Sequence, residues 1–324
     1  MKALVATNTD GYRVALTELD ESELRGEVLV DVAYSSLNYK DGLAITNRGK
    51  IVRKFPMTLG IDLAGTVIAS EHPDFKPRDQ VLATGQGLGE LEPGGYSERQ
   101  RVRADALLPL PANLSLEQAM QLGTAGLTAM LCVLALARNK VMPDEREVVV
   151  TGAAGGVGSI AVMLLAKRGY KVAASTGRPE LESYLRELGA TSIIAREALT
   201  KDGPPMQSET WAGGVDTVGG VTLQNLFAQT AYGGAIACCG MAGGHELHTA
   251  VWPLILRNVS LLGVSSLRTP KDERMAAWEA LAHDVDAEKL ASLSRIEPLS
   301  RIHEVAEEIV AGKVRGRVVI DVKS

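Results

Sequence analysis

Cysteine is scarce in this chain, with three among 324 residues, and two of these, Cys238 and Cys239, are adjacent inside an apolar run. Placed so, they and Cys132 read as buried thiols rather than a redox pair. Long apolar runs are also missing. None approaches the roughly 20 residues that cross a bilayer, and the opening Met-Lys-Ala-Leu-Val-Ala-Thr is too short an apolar stretch, with one basic residue, for a signal peptide. The expectation is a soluble, cytoplasmic protein with no membrane partner. Positive charge is not in excess either: 34 Lys and Arg stand against 39 Asp and Glu, a formal charge of -5. That argues against a nucleic-acid partner while leaving room for a local basic pocket.

What is present is ordinary globular material, 46% hydrophobic and 23% charged, in a length that suits two domains. Short extended runs at 3–6, 27–34, 65–70 and 80–83, punctuated by Pro73, Pro77, Pro93-Gly94-Gly95, Pro109 and Pro111, predict a β-rich first domain over 1–115. Ser115 and Gln118 form a capping box opening a helix over 115–137, in which Gly123 and Gly126 permit close packing. From Glu147 the texture changes. Strands at 147–151, 170–175, 191–195, 215–218, 235–239 and 260–264 alternate with helices at 159–168, 179–188, 223–230 and 252–256. This alternation is the signature of an α/β fold, here a doubly wound Rossmann domain over 116–266. Helices over 270–283 and 302–311 and a last strand over 317–322 make a C-terminal segment, 267–324, expected to rejoin the first domain.

The turn Thr151-Gly152-Ala153-Ala154-Gly155-Gly156-Val157-Gly158 lies between a buried strand and an amphipathic helix. There a dinucleotide pyrophosphate meets free backbone N–H groups and the positive end of the helix, and side chains would block its approach. A tight turn without a ligand is the plain alternative. NAD-specific sites place an acid at the end of the next strand; here the chain reads Ser175-Thr176-Gly177-Arg178, two hydroxyls, a glycine and a guanidinium. The cofactor expected is NADPH, with Arg196 after the following strand adding positive charge. Arg178 as a solvated residue before the next helix is the other reading.

At this point the residues resemble a known family. Leu37-Asn38-Tyr39-Lys40-Asp41, Pro56-Met-Thr-Leu-Gly60-Ile61-Asp62-Leu-Ala-Gly65, Gly94-Gly95-Tyr96-Ser-Glu98 and Gly123-Thr-Ala-Gly126, with the glycine turn, are similar to quinone-oxidoreductase-like medium-chain dehydrogenases/reductases. Ala129-Met-Leu-Cys-Val133, Trp211-Ala-Gly, Asp216-Thr-Val-Gly219 and Leu254-Ile-Leu-Arg-Asn258 resemble its acrylyl-CoA reductase group. The resemblance implies a GroES-like catalytic domain beside the Rossmann domain, NADPH-dependent reduction of acrylyl-CoA to propionyl-CoA, and a homodimer, with 260–264 as the candidate pairing edge. Zinc-dependent relatives carry a Cys and a Gly-His-Glu where this chain has Asn38 and Gly60-Ile61-Asp62. His72, His245, His248, His283 and His303 are scattered, so no metal is expected.

Metal-free reduction of an unsaturated thioester needs a donor for the carbonyl oxygen and a proton for the α-carbon. The resemblance puts Tyr39 at the nicotinamide end of the cleft, as proton donor or enolate stabiliser, or merely as a residue packing on the cofactor. Asn38 stands beside it; Asp41 either positions Tyr39 and Lys40 or caps its own helix. Thr124 and Thr128 would run past the nicotinamide, and Arg317 either reaches back to the cofactor or begins a solvated strand. Lys40, Arg48, Lys50, Arg53 and Lys54 suit an acyl-CoA phosphate rim, or form an ordinary solvated loop. A quinone or alkenal reductase and a non-catalytic NADPH-binding protein are the competing functions.

Overall fold

The computed structural model describes residues 1–144 and 146–324, which form two compact units: 1–127 with 267–282 and 290–324, and 128–266 with 283–289. The chain passes between them inside one helix, Leu116–Arg138, after Leu127.

In the first unit the ten-residue strand Val28–Leu37 is the spine. It pairs antiparallel with Asp62–Ser70, Arg99–Val102 and Arg317–Asp321. The seven-stranded sheet continues to Gln80–Thr84 and Leu108–Pro109 on one side and Ser294–Pro298 on the other, so the C-terminal segment supplies two of its strands. Period-2 alternation buries Val28, Val30 and Val32 in one core with Leu63, Val81 and Tyr96, covered by Ile302, Val305 and Ala306 of the helix Ile302–Val310. A smaller sheet, Arg13–Glu18, Lys2–Thr7 and Met57–Thr58, lies in the same unit. The strand Arg13–Glu18 is almost wholly exposed, hence invisible to a search for buried runs.

The second unit is a six-stranded parallel sheet in the order Ser192–Ala195, Val172–Thr176, Val148–Val150, Trp211–Asp216, Thr230–Cys238, Ser260–Gly263. That is the 3-2-1-4-5-6 order of a dinucleotide-binding sheet. Every pairing is parallel. The fourth strand falls at 211–216 rather than the expected 215–218, because Gly213 and Gly214, poor strand formers by propensity, fit close against Val149 and Ala235.

Two expectations about Leu116–Arg138 are corrected. First, its most apolar 18-residue window has a mean hydropathy of 1.7, so by length and composition it could cross a bilayer; 83% of that window is buried inside the protein, the burial of a core helix. Polar but uncharged residues, Gln118, Gln121, Thr124 and Thr128, hide the run from a search for unbroken apolarity. Second, the helix is not continuous: Gly123 permits the close packing expected of it, but at a break in the helix. It breaks the helix at φ 54, ψ -156. The Ser115 capping box is present, with Ser115 N–H donating to Gln118 Oε1 at 2.9 Å and Gln118 N–H to Ser115 Oγ at 3.1 Å.

At Gly123 a Cβ would lie 2.6 Å from Asp62 Oδ2 and 2.6 Å from Ser36 Oγ, in addition to the left-handed φ. A Gly123→Ala variant should therefore lose about 2 kcal/mol or more of stability. Denaturant titration checks this; a variant within 0.5 kcal/mol of the parent, roughly the scatter of surface substitutions, would contradict the packing described.

Candidate active site and cofactor site

The strand Val28–Leu37 ends by delivering Ser36, Leu37 and Asn38 to a buried polar cluster centred on Asp62. An acid in the apolar stretch Leu59 to Ala64 must find partners, since a buried bare carboxylate costs several kcal/mol. Asp62 is fully buried, and its Oδ2 accepts from Ser36 Oγ at 2.5 Å, Asn38 Nδ2 at 2.9 Å and Thr124 N–H at 2.8 Å, while Oδ1 accepts from the Thr124 hydroxyl. The compensating cation is Arg317, 2% exposed. Its Nε donates to Gln121 C=O at 3.0 Å, Nη1 to Leu37 C=O and Asn38 Oδ1 at 3.2 Å each, and Nη2 to Ser36 Oγ at 2.8 Å. Arg317 is thus not a solvated strand start, and these four bonds all go to protein. Burial lowers its pKa, opposed by the charges of Asp62 and Asp41.

Asn38 is the N-cap of a seven-residue helix, Tyr39–Ile45. Asp41 closes the first turn, Oδ2 accepting from Asn38 N–H at 2.9 Å and Oδ1 from Ile61 N–H at 2.9 Å. Asp41 therefore caps its own helix, one of the two roles expected for it. Asn38 has its amide engaged at both ends. Tyr39, by contrast, is 47% exposed and has no side-chain partner among the described residues. Of the basic cluster, Lys40 is ion-paired to Glu90 and Arg48 to Glu307 at 2.8 Å.

In the second unit Gly152 sits at φ 59 with no room for a side chain beside the Thr217 hydroxyl, and a Cβ on Gly158 would lie 2.7 Å from Ala153 Cα. These glycines let the turn fold tightly onto the N-terminus of the twelve-residue helix Gly156–Lys167, where Gly155 is the N-cap and the first backbone N–H groups have no acceptor within the helix. Ala154 is buried, while Gly155, Gly156 and Val157 are partly open. The turn is braced by Asp216, whose Oδ1 accepts from Thr151 Oγ at 2.7 Å and Oδ2 from Gly219 N–H at 2.8 Å; burial pushes its pKa up. Arg178 reaches back from the second strand, Nη2 donating to Ala154 C=O at 3.2 Å. A Cβ on Gly177 would lie 2.6 Å from Arg196 Nη2, so that guanidinium lies across the glycine. Ser175 and Thr176 are buried beside them. A cradle without side chains, free helix N–H groups and two guanidinia fit a dinucleotide carrying an extra ribose phosphate. Thr128 is buried in this unit, donating to Ser266 Oγ at 3.0 Å. All three cysteines are free thiols; Cys132 is buried and the other two half-buried.

Comparison with known proteins now bears on this geometry. Residues 24–112 match the family described as alcohol dehydrogenase GroES-like domain, and 156–283 match zinc-binding dehydrogenase. The chain is 47% identical over 324 residues to the "Probable acrylyl-CoA reductase AcuI" of Escherichia coli (strain K12), covering 99% of this chain and 100% of that one. It is 48% identical over 314 residues to the "Acrylyl-CoA reductase AcuI" of Ruegeria pomeroyi, covering 96% and 95%. The chain belongs to the acrylyl-CoA reductase family of medium-chain dehydrogenases/reductases. The structure of the yhdH oxidoreductase from Salmonella enterica in complex with NADP superposes with a TM-score of 0.97 at 49% identity, covering 99% of each chain.

The zinc in one family description does not fit the residues present. Asp62 already accepts four hydrogen bonds, the Asn38 amide oxygen faces a guanidinium, and among the described residues no group of three or more His, Cys, Asp or Glu could hold a metal. His245 and His248 are both exposed, His248 against Glu246 at 3.3 Å. Asp62 is the member of this cluster that sequence reasoning passed over, having weighed it only as a missing zinc ligand; the signal was an acid inside an apolar strand.

Burial, and next the neighbouring Asp62 charge, push the Asp41 carboxyl up to about 7. Above about pH 4 the unfolded chain has released this proton while the folded one keeps it. The resulting stability is full below about pH 4 and is lost as pH rises through about 7. Calorimetry should show the parent's melting temperature falling across that interval by more than that of an Asp41→Asn variant. Parallel profiles would remove Asp41 as the source.

Proposed function

We propose that this protein is an NADPH-dependent acrylyl-CoA reductase, reducing the C=C bond to give propionyl-CoA without a metal. The observation that carries the reading is end-to-end likeness to relatives of that name, joined to a phosphate turn flanked by Arg178 and Arg196. NADPH bound at Gly152, Ala154, Gly155, Gly156, Val157 and Gly158, with its ribose phosphate toward Ser175, Thr176, Gly177, Arg178 and Arg196, supplies the hydride.

The chain has then to protonate the α-carbon and stabilise charge on the thioester oxygen. Tyr39 is the side chain left open for either task, half-exposed and with no side-chain partner among the described residues. Asn38 and Asp41 are spent on the local fold and act by positioning Tyr39 rather than by touching substrate. The Arg317 guanidinium, enclosed by four protein acceptors, keeps the Asn38 cap in place. Free thiols suit a reducing, cytoplasmic setting.

Spectrophotometric NADPH oxidation with acrylyl-CoA, crotonyl-CoA and a benzoquinone tests the assignment. Acrylyl-CoA should give the highest kcat/KM. Tyr39→Phe should lose roughly 10²-fold in kcat with NADPH affinity retained, and Arg178→Ala should raise the KM for NADPH far more than that for NADH. Preference for the quinone would overturn the substrate, and normal Tyr39→Phe turnover would pass the proton to water.

The protein also works as a homodimer in this proposal. Ser260–Gly263 is an edge strand, paired among the described residues only with Thr230–Cys238, and Tyr232, Trp252, Ile255 and Leu256 of the same unit are exposed. An open edge and several exposed large apolar side chains in one unit invite a second copy. Sedimentation should give a dimer that Ile255→Glu shifts toward monomer; a monomeric parent at micromolar concentration would refute it.

A further inference from the structure

The five-residue basic cluster after Tyr39 divides in the folded chain. Lys40 and Arg48 are neutralised by Glu90 and Glu307. Lys50, Arg53 and Lys54 are exposed and have no side-chain partner among the described residues. In a chain of net charge -5, three such cations within five residues are a local concentration of charge that nothing internal uses.

Their placement is fixed by two tethers to the helix Tyr39–Ile45. Glu90 is the first: its carboxylate takes Lys40, while its carbonyl accepts the Arg53 N–H at 2.9 Å. The loop carrying Arg53 is therefore one residue's breadth from Lys40, the neighbour of Tyr39. Tyr12 is the second. Its hydroxyl donates to Ala44 C=O at 2.6 Å, in that same helix, and its ring stands edge-on to Phe55 with centroids 5.9 Å apart and planes at 85°. Phe55 remains 40% exposed. An open aromatic ring directly after two cations offers a stacking surface for a base beside donors for phosphate.

We propose that residues 50–55 recognise the 3′-phosphorylated ADP end of the acyl-CoA substrate, Lys50, Arg53 and Lys54 taking phosphates and Phe55 the adenine face. The inference rests on the acyl-CoA reading above and deepens it: selectivity for a CoA thioester over a smaller alkene is set on this loop, outside the Tyr39 hydroxyl and the NADPH cradle.

The test compares acrylyl-CoA with acrylyl-pantetheine, the same thioester lacking the nucleotide, at saturating NADPH. The triple variant Lys50→Ser/Arg53→Ser/Lys54→Ser should raise the KM for acrylyl-CoA by about tenfold or more, the scale of a few exposed charge contacts. It should leave kcat and both constants for acrylyl-pantetheine unchanged, and Phe55→Ala should act in the same direction. An unchanged KM for acrylyl-CoA, or an equal rise for both thioesters, overturns the proposal. A binding readout independent of turnover is calorimetry of adenosine 3′,5′-bisphosphate with the parent already saturated with NADP⁺. Binding that the triple variant loses supports the loop, and no binding to the parent refutes it. If the parent reduces neither thioester, the substrate reading fails while calorimetry still decides the loop.

Discussion

The first unit is organised around the need to keep one carboxylate, Asp62, in a place without water. A bare charge there would cost several kcal/mol, so every neighbour contributes a donor, and one element after another is committed in doing so. Ser36 and Asn38 come from the spine strand, Thr124 from a helix that breaks at Gly123 to point a backbone N–H inward, and the balancing guanidinium from the C-terminal strand. Removing any single partner leaves the others holding an incompletely paired charge. The cluster thereby makes the local backbone around Tyr39 a consequence of electrostatics rather than of helix propensity, since an isolated seven-residue helix would not be stable in water.

The second unit repeats the device on a smaller scale. In the 3-2-1-4-5-6 order the winding of the chain reverses between Val148–Val150 and Trp211–Asp216 while all strands stay parallel, and ligands bind at the crevice outside such a reversal. Asp216 bridges that point. By accepting from the Thr151 hydroxyl and from the N–H groups of Val218 and Gly219, it ties the two strand ends together and leaves the glycine turn standing above them. A buried acid thus braces the base of the turn.

How much of this could be read from the sequence follows from the range of each interaction. The strand-helix alternation after Glu147 and the glycine turn are local patterns, and four of the six parallel strands fall close to where periodicity puts them. Trp211–Asp216 and Thr230–Cys238 both begin earlier than expected, because Gly213, Gly214, Gly233 and Gly234 carry no pattern and only neighbours across the sheet define those strands. Tyr39–Ile45 is too short to show a helical period, and its start is visible only as Asn38 and Asp41, three residues apart. Arg317 is the least legible. In the sequence it reads as reaching back to the cofactor or as a solvated strand start, and its partners Ser36 and Asn38 lie 281 and 279 positions away.

Arg317 also bears on how the chemistry divides among the residues. A zinc ion at this place would act directly on a substrate oxygen by accepting its lone pair. A guanidinium can only donate hydrogen bonds, and four of its five N–H groups are already spent on Gln121, Leu37, Asn38 and Ser36. Its charge is therefore consumed in balancing Asp62 and Asp41. With the cation, both acids and the Asn38 amide all turned inward, Tyr39 at this end of the spine strand has a hydroxyl without a partner among the described residues. The same pairing that makes the cluster stable thus leaves the Tyr39 phenol open beside it, which supports the proposal that a hydroxyl, rather than a metal or a fixed charge, serves a reaction that asks for a proton and a hydrogen bond.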